Sequence, residues 1–249
     1  MPGMPAARRE AFLPFLQAAL AEFAIEAPAR TAAFLAQLAH ESGQFRFMEE
    51  IWGPTAAQRR YEPVTTLAAN LGNTQPGDGR RYKGRGPIQI TGRANYKRFG
   101  DLLGTDLVSE PARAALPEIA FRVAGLYWQK KGLNELADRV SDDAFREITR
   151  RINGGFNGLD DRRRFYTVAR NVLGVVAPPL TRDVEDGLPD ARDEPVFERG
   201  SEAIRRLTRK TRTSRKKVAA RKAKPGARKK AQASRPAKAR VVKKKTTRR

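Results

Sequence analysis

The 249-residue sequence predicts a mainly α-helical domain with a loop-rich cleft, followed by a polycationic tail. Three observations carry that prediction. Apolar side chains recur every three to four residues in several segments of the first 175 positions. Between residues 53 and 95 that period gives way to Gly, Pro, Asn and Thr. Residues 201–249 then carry 22 Lys and Arg against one acid, Glu202, and so hold +21 of the net charge of +23.

The helices follow in chain order. Leu13, Leu16, Leu20 and Phe23 form the apolar stripe of the first. Pro28 suits the first turn of a second, ARTAAFLAQLAH, whose alanines allow close packing on most faces. Pro117 precedes EIAFRVAGLYWQKK, with Ile119, Val123, Leu126 and Tyr127 on one side and Gly132 as a stop. Ser141 can cap a helix containing Phe145, Ile148 and Ile152, which ends at Asn153-Gly154-Gly155. Asp160 can cap the last, with a stripe of Phe165, Val168, Ala169 and Val172 closed by Gly174. The irregular stretch over residues 53–95 predicts loops with a small β element, and so long a loop in a compact domain points to a site.

Composition excludes several classes of function. With no cysteine, disulfide staples, thiolate metal sites and a cysteine nucleophile are absent. No run approaches the roughly 18 apolar residues of a membrane span. The N-terminal MPGMPAARREAFLPFLQAAL reads as an amphipathic helix, since Glu10, Pro14 and Gln17 interrupt the core of a signal peptide. Synthesis in the cytoplasm without a recognisable signal peptide is therefore expected.

The stretch HESGQFRFMEE, residues 40–50, concentrates the candidate chemistry. A zinc site fails on ligand count, because position 44 of a would-be HExxH is Gln and His40 is the only histidine. A serine triad fails because His40 and Ser42 are near neighbours with no G-x-S-x-G elbow. A carboxylate pair remains open, beside a solvated helix end. On one continuous helix Glu41 and Glu50 would stand roughly 13 Å apart on opposite faces. Gly43 permits a left-handed turn that can bring them across a groove. Glu41 in apolar surroundings would then keep its proton, and a wetter, hydrogen-bonded Glu50 would stay ionised, the division of labour that glycosidic cleavage requires.

Residues 82–96, YKGRGPIQITGRANY, make neither a dinucleotide fingerprint nor a P-loop. Gln89, Thr91 and Asn95 alternate with Ile88 and Ile90, which can turn polar groups toward sugar hydroxyls or a water. Arg85 can meet a carboxylate or the substrate, or form a buried ion pair.

HES-G with the following EE, then YKGRGPIQITGRANY, RINGGFNG and DRRRFY, in that order over residues 10–174, resemble the catalytic domain of glycoside hydrolase family 19, the chitinase-like branch that includes phage-type endolysins. The resemblance implies a lysozyme-like α-helical fold and inverting cleavage of β-1,4 bonds in N-acetylhexosamine polymers, peptidoglycan or chitin, by a monomer without metal or organic cofactor. It implies Glu41 as general acid, Glu50 as the base, and Thr91 as the group that positions water. Gln89, Asn95 and Asn153 would contact substrate, with Arg85, Arg162 and His40 in support. Glu62, 21 residues after Glu41, is the alternative base at the longer plant-type spacing. Lys83 and Gln44 depart from the chitinase pattern, and the G-R-G-x-I-Q-I-T-G-R form is closer to peptidoglycan lysins, which act at the cell wall after release.

The organisation expected is a catalytic domain over residues 1–177, an acidic Pro-containing linker over 178–200 and a disordered Lys/Arg/Ala-rich tail over 201–249. Such a tail binds anionic envelope polymers and, non-specifically, nucleic acid. A reading of another class is a polyanion- or nucleic-acid-binding protein whose hydrolase-like module is inactive.

Overall fold

The computed structural model describes residues 4–176; the linker and tail expected over residues 178–249 lie outside them. Ten α-helices are present among the described residues: α1 (Ala6–Glu22), α2 (Pro28–Glu41), α3 (Ala56–Arg59), α4 (Thr66–Asn70), α5 (Asp78–Arg81), α6 (Arg93–Leu103), α7 (Pro117–Lys130), α8 (Leu133–Ala137), α9 (Asp142–Asn153) and α10 (Leu159–Val172). A short 3-10 turn, Pro111–Ala115, leads into α7. The described residues form helices and no strands, in keeping with the mainly α-helical class the sequence predicts.

The long helices begin where the chain chemistry says they should. Pro28 and Pro117 open α2 and α7, where the missing N–H costs nothing. The Ser141 hydroxyl accepts from the Ala144 N–H and caps α9. For α10 the cap is Gly158 rather than Asp160, which falls in the first turn and favours the positive end of the helix dipole.

α2 and α7 are buried along most of their length and form the centre of the core. Phe34 of α2 meets Trp128 of α7 edge-on, ring centroids 5.3 Å apart. Phe12 of α1 and Phe45 both set their edges on Phe121, at 5.6 and 5.7 Å. The Trp128 indole donates to Asn134 of α8, whose amide donates to the Phe23 carbonyl after α1, so three elements share one buried polar link.

Two expected stripes are displaced. In α1 Leu13 is half exposed, and Phe12 turns inward instead. In α10 Val168 and Val172 face outward, while Arg162, Arg163, Tyr166 and Arg170 are buried. Hydropathy reads arginine as a surface residue, but here Arg162 and Arg163 meet acids on α2 and α9. Over residues 53–95 the loop contains the short helices α3, α4 and α5, and α6 begins inside it. The β element reduces to isolated bridges, Glu49 with Arg85 and Arg85 with Ile90.

α1 can lie on α7 because position 125 has no side chain. A Cβ placed on Gly125 would stand 2.2 Å from Phe23 Cδ2, in a core too dense to yield. Gly125→Ala is expected to lower unfolding free energy by about 1–2 kcal/mol net, since overpacking outweighs the helix propensity gained. An unchanged urea midpoint would show that Phe23 moves aside freely.

Candidate active site

Two buried carboxylates define the site, and each arrives by its own route. Gln37 and Glu41 lie one turn apart on α2 and so share a face. That face packs on α10. Arg162, fully buried, donates one Nη to Glu41 Oε1 and the other to Gln37 Oε1. Gln37 then donates through Nε2 to Thr149 Oγ1 of α9 at 2.9 Å, and that hydroxyl donates to the Phe145 carbonyl at 3.0 Å. Glu41, Arg162, Gln37 and Thr149 thus form one buried polar line across three helices.

A parallel rung stands beside it. His40 Nδ1 lies 2.8 Å from Asp161 Oδ2, and Arg164 pairs with the other Asp161 oxygen. The His40 hydrogen bond holds the Asp161 carboxyl below its usual range. Asn153 is buried one turn beyond Thr149, on the same side of α9.

Between Glu41 and Glu50 the chain reverses. Gly43, Gln44 and Phe45 all adopt left-handed φ, at +59°, +63° and +59°. Gly43 is left-handed as expected, and the turn extends beyond it over Gln44 and Phe45. Ser42 holds it from inside: its hydroxyl donates to the Leu38 carbonyl and accepts from the Phe45 N–H. The Gln44 N–H reaches back to the Ala39 carbonyl at 2.7 Å, the Schellman pattern of a helix end.

The turn delivers residues 48–50 to residues 84–86. Gly86 N–H donates to Met48 O at 2.9 Å and Glu50 N–H to Gly84 O at 2.8 Å. Glu50, 2% exposed, receives the Gly84 N–H on Oε2 and the Gln58 amide on Oε1, each at 3.0 Å. Burial pushes its carboxyl above the usual range, while Gly84, Gln58 and the charge of Lys83 pull the other way. Glu49 points elsewhere, to Arg85 at 2.9 Å and Lys83 at 3.3 Å, with a side chain nearly half exposed. Glu62 is half-buried in another loop, accepting from the Gly77 N–H.

The expected contrast between a proton-keeping Glu41 in apolar surroundings and a wet, hydrogen-bonded Glu50 is not what the fold builds. Glu41 has a guanidinium beside it, and Glu50 is the more buried of the two. Arg85 forms an ion pair, but with the half-exposed Glu49, so only the arginine is buried; it adds bonds to the Arg81 carbonyl and the Tyr96 hydroxyl.

Nor do Gln89, Thr91 and Asn95 alternate along a strand. Gln89 is left-handed, φ +56°, and its amide turns back to the Gly86 and Phe47 carbonyls. Thr91 donates to the Gln89 carbonyl and Asn95, already on α6, to the Thr91 carbonyl. Gln89 Oε1 remains buried with no hydrogen bond.

Gln37, Thr149 and Gln58 escaped the sequence reading. Gln58 had a visible signal, since Thr55-Ala-Ala-Gln58 is a capping box, present in the structure at the start of α3. That box fixes the amide so that Nε2 faces Glu50. Among the described residues no cluster of three or more His, Asp and Glu could hold a metal ion, and no helix is long and apolar enough to cross a membrane.

Known proteins resemble this chain in sequence and fold. Residues 12–136 match the family model described as chitinase class I, that of glycoside hydrolase family 19. A Haemophilus influenzae protein described as glycosyl hydrolase family 19 domain-containing is 40% identical over 158 residues, covering 54% of this chain and 76% of that protein. Endochitinase At2g43610 of Arabidopsis thaliana is 40% identical over 149 residues, covering 59% of this chain and 47% of its own; the chain spans about half the length of such plant relatives. Chitinase C from Streptomyces griseus HUT6037 superposes with a TM-score of 0.56 at 25% identity, covering 73% of this chain and 76% of that one. The class IV chitinase of Zea mays gives 0.51 at 28% identity, covering 70% and 85%. Fold and matches define an α-helical glycoside hydrolase domain. Within that class, the chain belongs to glycoside hydrolase family 19.

Because folding raises the Glu50 pKa, ionising this group costs stability. The cost is absent below the usual carboxylate range and complete once pH exceeds the raised value. Relative to Glu50→Gln, the parent should therefore lose unfolding free energy as pH rises through that window. Urea unfolding of both at several pH values reads it; a constant difference would mean that Glu50 titrates alike in folded and unfolded chains.

Proposed function

We propose that the chain is an inverting hydrolase of β-1,4-linked N-acetylhexosamine polymers, with the glycan strands of peptidoglycan as substrate. The observation that carries this reading is the pair of buried carboxylates, Glu41 and Glu50, on either side of a left-handed turn and each held by its own donors. Glu41 must first take up a proton beside Arg162 and then passes it to the leaving glycosidic oxygen, and Glu50 takes a proton from water attacking the opposite face. A raised pKa makes Glu50 a stronger proton acceptor once ionised. The two carboxyl groups are expected roughly 6.5–9.5 Å apart, the spacing that admits water.

Thr91 spends its proton on the Gln89 carbonyl, so its oxygen lone pairs can accept a hydrogen from that water. Gln89 Oε1, buried without a partner, suits an N–H of the sugar acetamido group. Asn95 and Asn153 contact the glycan, while Arg162 and His40 hold the α2 end in place and Arg85 holds residues 84–90. Chitin is the second reading, favoured by similarity to proteins named endochitinases.

The basic tail is proposed to concentrate this monomeric enzyme on anionic envelope polymers after its release from the cytoplasm. The competing reading, a polyanion-binding protein with an inert hydrolase module, requires a parent that cleaves neither glycan.

Glu41→Gln is expected to lower turnover on purified peptidoglycan by about 10²–10⁴-fold, and proton NMR of fresh products should show the inverted α-anomer first. Parental turnover in the variant, or retained β-anomer, would overturn the mechanism. Deleting residues 201–249 should weaken binding to cell walls at low salt and leave hydrolysis of short soluble oligosaccharides unchanged. Equal wall binding by both forms at low salt would remove the tail from this role.

A further inference from the structure

Outside the carboxylate site, a cavity of about 580 Å³ opens beside α6, lined by Ala94, Lys97, Arg98, Asp101, Leu102 and Lys130. Three of the six are cations and one is an acid. Lys97 is paired with Asp101 at 2.7 Å, one turn along the helix. Arg98 and Lys130 are exposed, and no ion pair neutralises them among the described residues. Leu102, about half exposed, sits with Ala94 beside these charges. An open hollow with two uncompensated cations and an apolar wall fits a ligand that carries carboxylates next to methyl groups.

The cavity lies on the outer face of α6, the helix whose buried face carries Asn95. Ala94 neighbours Asn95 in sequence, though the Asn95 side chain turns to the buried face, and from Ala94 to Leu102 the helix runs about 12 Å. A peptide of four residues spans at most about 14 Å when extended. A stem peptide that passes over the edge of α6 from a sugar held on its buried side therefore has the length to bring a carboxylate to Arg98.

We propose that the α6 cavity, through Arg98, Lys130 and Leu102, binds the anionic stem peptides of peptidoglycan. This rests on the proposed peptidoglycan reading and gives it a physical basis, since chitin is neutral and offers nothing to these cations. The apolar wall favours alanine-bearing peptide carboxylates over a bare phosphate of another wall polymer.

The test uses the full chain and the double charge reversal Arg98→Glu with Lys130→Glu, both positions exposed and away from the buried core. Soluble muramyl tetrapeptide is titrated into each while backbone amide shifts are followed by NMR. Shifts at Lys97, Arg98 and Leu102 that vanish in the variant are expected, with KM on intact peptidoglycan raised roughly threefold to tenfold and kcat retained. KM on chitohexaose and on peptide-stripped glycan should not move. No shifts along α6, shifts caused equally by glycerol phosphate, or an equal KM change on the neutral glycans would overturn the proposal. The titration is independent of cleavage, so a parent that hydrolyses only chitin would refute the peptidoglycan activity while the shifts still decide what the cavity binds.

Discussion

The ion pair between Glu41 and Arg162 is the constraint on which the site depends. Both side chains are buried, and an ionised group alone in such surroundings would cost several kcal/mol or more. Neither can move out of register without exposing the other to that cost. Gln37 occupies a second Arg162 nitrogen and Thr149 the far side of Gln37, so the pair also fixes where α9 meets α2. Breaking a buried pair of this kind typically costs about 3–5 kcal/mol. The same register then aligns His40 with Asp161, because each neighbours one member of the pair in sequence.

From that anchor the second carboxylate is delivered by the left-handed turn and then held by the Gly84 N–H and the Gln58 amide. Three consecutive left-handed residues are costly for the two that carry a Cβ, about 1–2 kcal/mol each. Two things offset this cost. Ser42 satisfies the turn's polar groups, and Phe45 is buried against Phe121 in the core. The strain is confined between α2 and the ribbon of residues 48–50, so the relative position of Glu41 and Glu50 does not depend on a mobile surface loop.

Much of this was legible in sequence, and the failures share a cause. Prolines 28 and 117 and the cap Ser141 mark helix starts because their effect is local. The turn after Glu41 was legible through Gly43, but Gln44 and Phe45 gave no sign of left-handed backbone, since their conformation is imposed by packing. Val168 and Val172 were misplaced because the partners that draw Arg162 and Arg163 inward lie 121 and 21 residues away. Periodicity sees hydropathy, not pairing at a distance. Gln58 was legible in principle: a capping box predicts its backbone role, though not that the locked amide would face a carboxylate.

The two adjacent acids show why position in the fold, rather than charge, separates candidate from bystander. Glu49 is paired with Arg85 and Lys83 and its side chain is nearly half exposed, so its carboxylate is committed to two cations at the surface. Glu50 has no cation in direct contact among the described residues, only the Gly84 N–H and the Gln58 amide. Those neutral donors stabilise its carboxylate enough to permit ionisation inside the protein, while burial keeps its affinity for a proton above that of an exposed glutamate. A base that activates water must satisfy both conditions at once, ionised at the working pH yet ready to accept. A cation in place of Gln58 would meet the first and forfeit the second, which is the physical sense of a capping glutamine at this point in the chain.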